Sequence, residues 1–238
     1  MFNDRCVMVG QEEISFFEDA EKFLRSNGYF RWPELMGEEK EVVWERSTNS
    51  AEENPEVLAL FGPPAIAINS CFHDGQIFDS GHVKFQAVHL PGHSPGHYGF
   101  YFPEEGLLFS ADYDFAPFGP WYGGEYCSYG QVLQSMQRIV DIQPRVLFGS
   151  HRRKVFDEVG ANVKAYMSLP LRREAAIMAA LERPMSFKQL CGDESVRMPL
   201  SGDPHEVFWD RMMLLKQLEY YTEAGVLWLN EDGFYEKN

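Results

Sequence analysis

The spacing of hydrophobic and polar positions along this chain changes more than once, and each change marks a different kind of element. From Glu12 to Ser26 the apolar residues Ile14, Phe16, Phe17, Ala20, Phe23 and Leu24 recur at helical spacing. That pattern predicts one amphipathic helix with Asn27-Gly28 as its left-handed stop. Arg31 to Pro64 has no clear period; it is acidic, punctuated by prolines, and offers Trp32 and Trp44 as anchors for a cap over a site. From Ala65 the pattern turns to strands: Ala65 to Cys71, a tight turn at His73-Asp74-Gly75-Gln76, Ile77-Phe78, and Val83 to Leu90. Tyr98 to Phe102 and Gly106 to Phe109 form the next pair around Pro103-Glu104-Glu105. Tyr129 to Ile142 returns to helical spacing, with Val132, Leu133, Met136, Ile139 and Val140 on its inner face, and Pro144 ends it before a strand over Val146 to Phe148.

Leu169-Pro170 reads as a boundary, dividing the chain into domains at 1–169 and 170–238. Beyond it, Arg172 to Glu182 is an alanine-rich helix, and Ser186 is placed to cap a shorter one. A long helix follows from about Pro204 to Glu223, striped by Val207, Phe208, Met212, Leu215 and Leu218, and Gly225 to Leu229 with Phe234 to Glu236 makes a hairpin. Three helices and a hairpin resemble a winged-helix module, a small α+β unit. Such modules often read DNA, so charge decides. From Leu171 to Asn238 there are 8 Lys/Arg against 12 Asp/Glu, a net −4 with no basic stripe on the long helix, which favours packing or dimerisation over nucleic acid.

The whole chain carries the same message. A net charge of −15 repels nucleic acid and anionic membrane alike. At 238 residues and 45% hydrophobic the chain can bury a real core. It has no apolar run long enough to span a bilayer and no secretory signal pattern, so a cytoplasmic protein is the expectation. Cys6, Cys71, Cys127 and Cys191 are widely spaced without a C-x-x-C pair, which argues against a zinc knuckle or a disulfide framework.

Three segments carry the chemistry. Phe85 to Leu90 runs into Pro91-Gly92-His93-Ser94-Pro95-Gly96-His97, which places an imidazole on a stiff turn at a strand end. Leu107 to Asp112 is a strand-like run ending in a carboxylate, and Val146 to His151 is another ending in an imidazole. Strand ends converge on one edge in layered αβ domains, and imidazole with carboxylate suits zinc, iron or manganese.

These three ordered motifs resemble the metallo-β-lactamase superfamily. The resemblance implies an α/β fold, the αββα sandwich, covering about Cys6 to Lys154. It makes His93 a ligand of one divalent ion, Asp112 the carboxylate bridging two, and His151 a ligand of the other. The family's first motif, His-x-His-x-Asp-His, is absent: no two of the seven histidines are separated by a single residue. The segment that opens the chain looks like the strand and helix that follow this motif, so the resemblance implies an N-terminally incomplete sandwich. It also implies an apolar sheet face left exposed.

The function read from this is a hydrolase of an ester, thioester or related bond in a small-molecule substrate. Two divalent ions, Zn or Fe/Mn, would activate the attacking water. The alternative is a non-catalytic remnant or fragment acting through self-association or partner binding, since each ion is left with few protein ligands. Whether the chain is an enzyme stays open between these. Among the other candidates, His97 would support His93 rather than bind an ion. His93 itself could be only a turn histidine. Trp121, in the aromatic loop Phe115 to Tyr122, would border the substrate pocket, and Arg152 would either grip an anionic group at its mouth or lie in an exposed basic turn with Arg153 and Lys154. Asp114 reads as a loop hydrogen-bonder or a spare carboxylate near the ions. His89 reads as structural, and His73, His82 and His205 as turn or helix-start residues.

Overall fold

The fold was obtained as a computed structural model, which describes residues 6–37, 67–198 and 203–238. Of the expected features, Trp44 and the start of the Ala65 strand lie outside these. In chain order the strands are β1 (Met8–Gly10), β2 (Ser70–Phe72), β3 (Ile77–Asp79), β4 (Lys84–His89), β5 (Tyr98–Phe102), β6 (Leu107–Phe109), β7 (Val146–Phe148), β8 (Val155–Phe156), β9 (Met185–Ser186), β10 (Leu227–Leu229) and β11 (Phe234–Lys237). The helices are α1 (Ile14–Glu18), α2 (Ala20–Arg25), α3 (Trp32–Met36), α4 (Tyr129–Ile142), α5 (Val159–Tyr166), α6 (Ser168–Ala180), α7 (Phe187–Gly192) and α8 (Pro204–Glu223).

Strands β3 to β8 form one six-stranded sheet in sequence order. All neighbours are antiparallel except β6 and β7, which run parallel and are joined through α4. A parallel pair needs such a crossover. Two reversals make β4 parallel in direction to β6, so β4, β6 and β7 end on the same edge. The register puts Ala87, Phe100, Phe109 and Phe148 in one row across the sheet. His93, Asp112 and His151 then follow their strands by short, comparable lengths of chain.

The two faces of the sheet differ. Val88, Leu90, Leu108 and Leu147 are buried, and with Val132, Met136 and Ile139 of α4 they belong to one core that continues through Tyr166, Ile177, Leu190 and Leu218 to Tyr235. Phe78, Phe85, Phe100, Phe102, Phe109 and Phe148 share the opposite face and remain half-buried, in contact with one another. Phe72, on the two-stranded parallel sheet β1–β2, packs against this face through Phe78 and Phe100.

Two elements differ from the expectation. The helix read over Glu12 to Ser26 breaks at Asp19, which is extended (φ −122°, ψ 104°) and whose carboxylate accepts a hydrogen bond from Lys22 N, so it caps a new helix instead of continuing the old one. The helix read from Arg172 begins at Ser168 and takes Leu169-Pro170 into its first turn. A proline there costs nothing, because N–H groups of the first turn have no acceptor within the helix. Past this point β9, β10 and β11 pair as an antiparallel sheet of three in the order β10-β11-β9, with α7 and α8 between β9 and β10. Ser186 caps α7 in a reciprocal box with Gln189. No helix among the described residues is long and apolar enough to cross a membrane. The four cysteines are free.

Candidate metal centre

The turn after β4 is held from three sides. Tyr113 Oη donates to Pro91 O at 2.9 Å and accepts from His93 N at 3.1 Å, and the Cys127 thiol donates to His93 O at 2.8 Å. Glu13, from the N-terminal segment, accepts from Ser94 Oγ at 2.5 Å and from Gly96 N at 2.9 Å. Burial pushes the Cys127 thiol up to about 12, so it stays protonated and keeps donating. Gly92 sits at φ +122°, and an added Cβ would lie 2.5 Å from Val132 N at the start of α4, so this turn lies directly on that helix.

The loops after β6 and β7 are joined to each other. Ser110 N donates to Phe148 O at 2.8 Å, and Ser150 N donates to Ala111 O at 2.9 Å. Ala111, just before Asp112, has φ +47°, an unusual conformation for a residue with a side chain. It aims Asp112 out of the strand line. Gly149 packs directly on Asp114: a Cβ there would approach Asp114 Cα to 2.5 Å.

These constraints bring the three expected residues together. Asp112 Oδ1 lies 2.6 Å from His151 Nε2 and Oδ2 lies 3.7 Å from His93 Nε2, so the carboxylate stands between two imidazoles. Ser150 Oγ also donates to Oδ1 at 2.9 Å. His93 Nδ1 faces Trp121 O at 3.2 Å and must carry its proton there, which leaves the Nε2 lone pair facing a carboxylate oxygen. Two acceptors facing each other need a cation or a proton between them. Burial pushes the His93 pKa down, which disfavours the proton. Burial opposes ionisation of Asp112 as well, but the nearby His93 and the bonds from Ser150 and His151 outweigh it and hold its carboxyl below the ordinary value.

Donor type therefore fits a divalent ion on the His93 side, whereas on the His151 side Nε2 and Asp112 Oδ1 are 2.6 Å apart, a direct hydrogen bond with no space for an ion between them. The number of donors does not close a site on either side. Each side offers one imidazole and the Asp112 carboxylate, and no group of three or more His, Cys, Asp or Glu among the described residues is arranged to hold an ion.

His97 ties two of these loops together. Its Nδ1 donates to Leu90 O at 2.8 Å and its Nε2 accepts from Asp112 N at 3.1 Å, so one neutral, buried ring ties the end of β4 to the Asp112 loop. Burial and the adjacent His93 push its pKa down to about 4, as both bonds require. Asp114 is buried and accepts from Ala116 N within its own loop. His89 Nε2 donates to Pro95 O at 2.7 Å, a structural bond. Tyr113, Cys127 and Glu13 were not singled out from the sequence. Only the adjacency of Tyr113 to Asp112 pointed toward any of them.

A cavity of about 990 Å³ opens beside the three residues, and His93, Asp112, His151 and Trp121 line it. Arg152 is half-buried beside His151 and is not among the lining residues.

A family model described as the metallo-beta-lactamase superfamily matches residues 21–151. A lactamase-like protein of Aspergillus niger is 28% identical over 179 residues, covering 74% of this chain and 54% of that protein. An atrochrysone carboxyl ACP thioesterase of Claviceps purpurea is 30% identical over 117 residues, covering 49% of this chain and 36% of that protein. The chain thus spans about half the length of the Aspergillus relative it matches. Among solved structures, a metallo-beta-lactamase family protein of Thermus thermophilus has a TM-score of 0.63 at 21% identity, over 98% of this chain and 72% of that one. A beta-lactamase domain protein of Burkholderia ambifaria has a TM-score of 0.65 at 18% identity, over 98% and 66%. At these identities the structural likeness speaks to the fold, and the family match across more than half of the sequence places the chain in the metallo-beta-lactamase superfamily.

Proposed function

We propose that this chain carries part of a hydrolase site for an ester, thioester or related acyl bond, with His93, Asp112 and His151 as the residues that hold divalent metal. The observation that carries the reading is the Asp112 carboxylate, set between two imidazole Nε2 atoms at 3.7 Å and 2.6 Å at the wall of a large cavity. Similarity to a thioesterase in one relative supports acyl chemistry. Bound ions would supply a water acidic enough to attack at neutral pH and a polarised carbonyl. The chain's own residues do the positioning: Trp121 O fixes the His93 ring through Nδ1, His97 holds the Asp112 backbone, and the Ser150 hydroxyl orients the Asp112 carboxylate. Trp121 borders the space for substrate, whereas Arg152, next to His151 in the chain, is not among the residues that line it. We read the C-terminal helices and three-stranded sheet as a winged-helix-like unit over residues 170–238.

A second reading has one observation in its favour: each ion finds only two protein donors among the described residues, too few for a usual tight site. On that reading the chain is a metal-poor remnant that acts through association. Metal content of the purified chain, measured by plasma mass spectrometry beside a His93→Ala, His151→Ala double variant, separates the two. Close to two ions per chain, lost in the variant, supports the hydrolase. Metal no higher than in the variant refutes it.

A further inference from the structure

The cavity beside Asp112 has two walls of separate origin. One is the loop that leaves β6 and contributes Phe118 and Trp121; the other is C-terminal and contributes Met198 with Trp209 and Met213 of α8. Trp209 and Met213 are four residues apart on one helix, so they present side chains on the same face.

The two walls are packed together. A Cβ on Gly123 would lie 3.3 Å from both Met213 Cγ and Trp209 O, and 3.4 Å from Trp121 Nε1. Glycine at 123 is what lets the loop lie this close to the helix. One turn further along α8, Lys216 Nζ donates to Glu125 O at 2.9 Å and ties down the same loop.

Shape narrows the occupant: the volume of about 990 Å³ is at the upper end for a ligand pocket, and indole, phenyl and phenol rings supply much of its apolar lining. Flat aromatic walls favour a flat aromatic guest.

We propose that α8 forms half of the acyl-binding wall, and that the site takes a bulky aromatic acyl group held between the Phe118–Trp121 loop and Trp209 and Met213. This rests on the hydrolase reading for the bond to be cleaved, and it gives the C-terminal unit a role in choosing the substrate.

The test is binding, read by isothermal titration calorimetry on the full chain as purified. The probe is 2-acetylnaphthalene, an uncleavable ketone shaped like a naphthoyl ester; 2-decanone serves as the aliphatic comparison. The naphthyl ketone should bind at least about tenfold more tightly than 2-decanone, and Met213→Trp, which fills the cavity, should weaken it by about tenfold or more. Phe118→Ala and Met198→Ala change positions that are not fully buried, one on each wall, and should each weaken binding several-fold without lowering the melting temperature. They keep the test decisive if Met213→Trp fails to fold. No binding of the ketone, equal binding of the aliphatic probe, or indifference to Met198→Ala would overturn the proposal. Metal content measured on the same preparation tests the hydrolase reading separately, so ketone binding without metal refutes that reading alone.

Discussion

Arg173 on α6 and Asp210 on α8 form a buried ion pair whose side chains are 2% and 7% exposed. The pair joins the two helices next to Trp209, and so braces one wall of the cavity. Arg173 Nε also donates to Val196 O at 3.0 Å, and Met198 N donates to Asp210 Oδ1 at 3.3 Å, so the segment between the helices is held by the same two side chains. Burial pushes the Arg173 pKa down, a measure of what its charge loses by leaving water. Arg173→Met leaves a buried carboxylate alone and Asp210→Leu leaves a buried guanidinium alone; each should cost about 3–5 kcal/mol. The double variant strands no charge. It loses mainly the bonds to Val196 and Met198, at about 1–3 kcal/mol for each group left unpaired. The sum of the single costs should therefore exceed the cost of the double by about 3 kcal/mol. Urea unfolding at pH 7, followed by far-UV circular dichroism across the four proteins, gives this coupling directly. Additive costs, or single costs below about 1 kcal/mol, would refute the argument that the pair is shielded from water and holds α8 in place.

Other outcomes follow from individual contacts. His97→Phe keeps the ring volume but can make neither the Leu90 nor the Asp112 bond, and should cost about 2–5 kcal/mol in urea unfolding as two buried groups lose their partner. A variant as stable as the parent would show that the ring only fills space. Gly149→Ala drives a Cβ against the Asp114 backbone and should lower stability by about 1–3 kcal/mol, whereas Gly160→Ala, with nothing within 4 Å, should raise it by up to about 1 kcal/mol. Melting temperatures of the pair would check both signs. Asp74 is half-exposed; burial opposes its charge, but His89 N and Arg138 hold its carboxyl below the ordinary value. The unfolded state therefore binds the proton more readily, so this contribution is present near neutrality and fades as pH falls below the ordinary carboxylate range. In acid titrations followed by circular dichroism, Arg138→Met should unfold at higher pH than the parent, and an unchanged midpoint would remove the pair from the account.

What could be read from the sequence, and what could not, divides by the range of the cause. The helices at Tyr129–Ile142 and Pro204–Glu223 were legible because one apolar stripe dictates each of them locally. The proximity of His93, Asp112 and His151 was legible because each follows a strand by a short, glycine- or serine-bearing turn, and strands ending on one edge bring such turns together. Two helix starts were misread for a related reason: Asp19 caps a new helix where one continuous helix was read, and the helix read from Arg172 starts earlier, with Pro170 in its first turn. The Tyr113 and Cys127 bonds to His93, the Arg173–Asp210 pair and the second cavity wall had no local signature, because their partners meet only when distant segments pack.

The same division runs through the function. The candidate residues His93, Asp112 and His151 sit on short turns after β4, β6 and β7, so the order of the motifs points to the class of chemistry proposed above. The surface that would choose the substrate is made where a loop after β6 meets α8 from the far end of the chain, with Gly123 as the point of contact. Substitutions on α8 can therefore reshape the cavity while leaving the β4, β6 and β7 loops as they are. Under the proposed function, the choice of acyl group should change there more readily than the chemistry, because a wall of apolar side chains tolerates exchange of volume, whereas the Asp112 carboxylate is held by His93, Ser150 and His151 from two other loops.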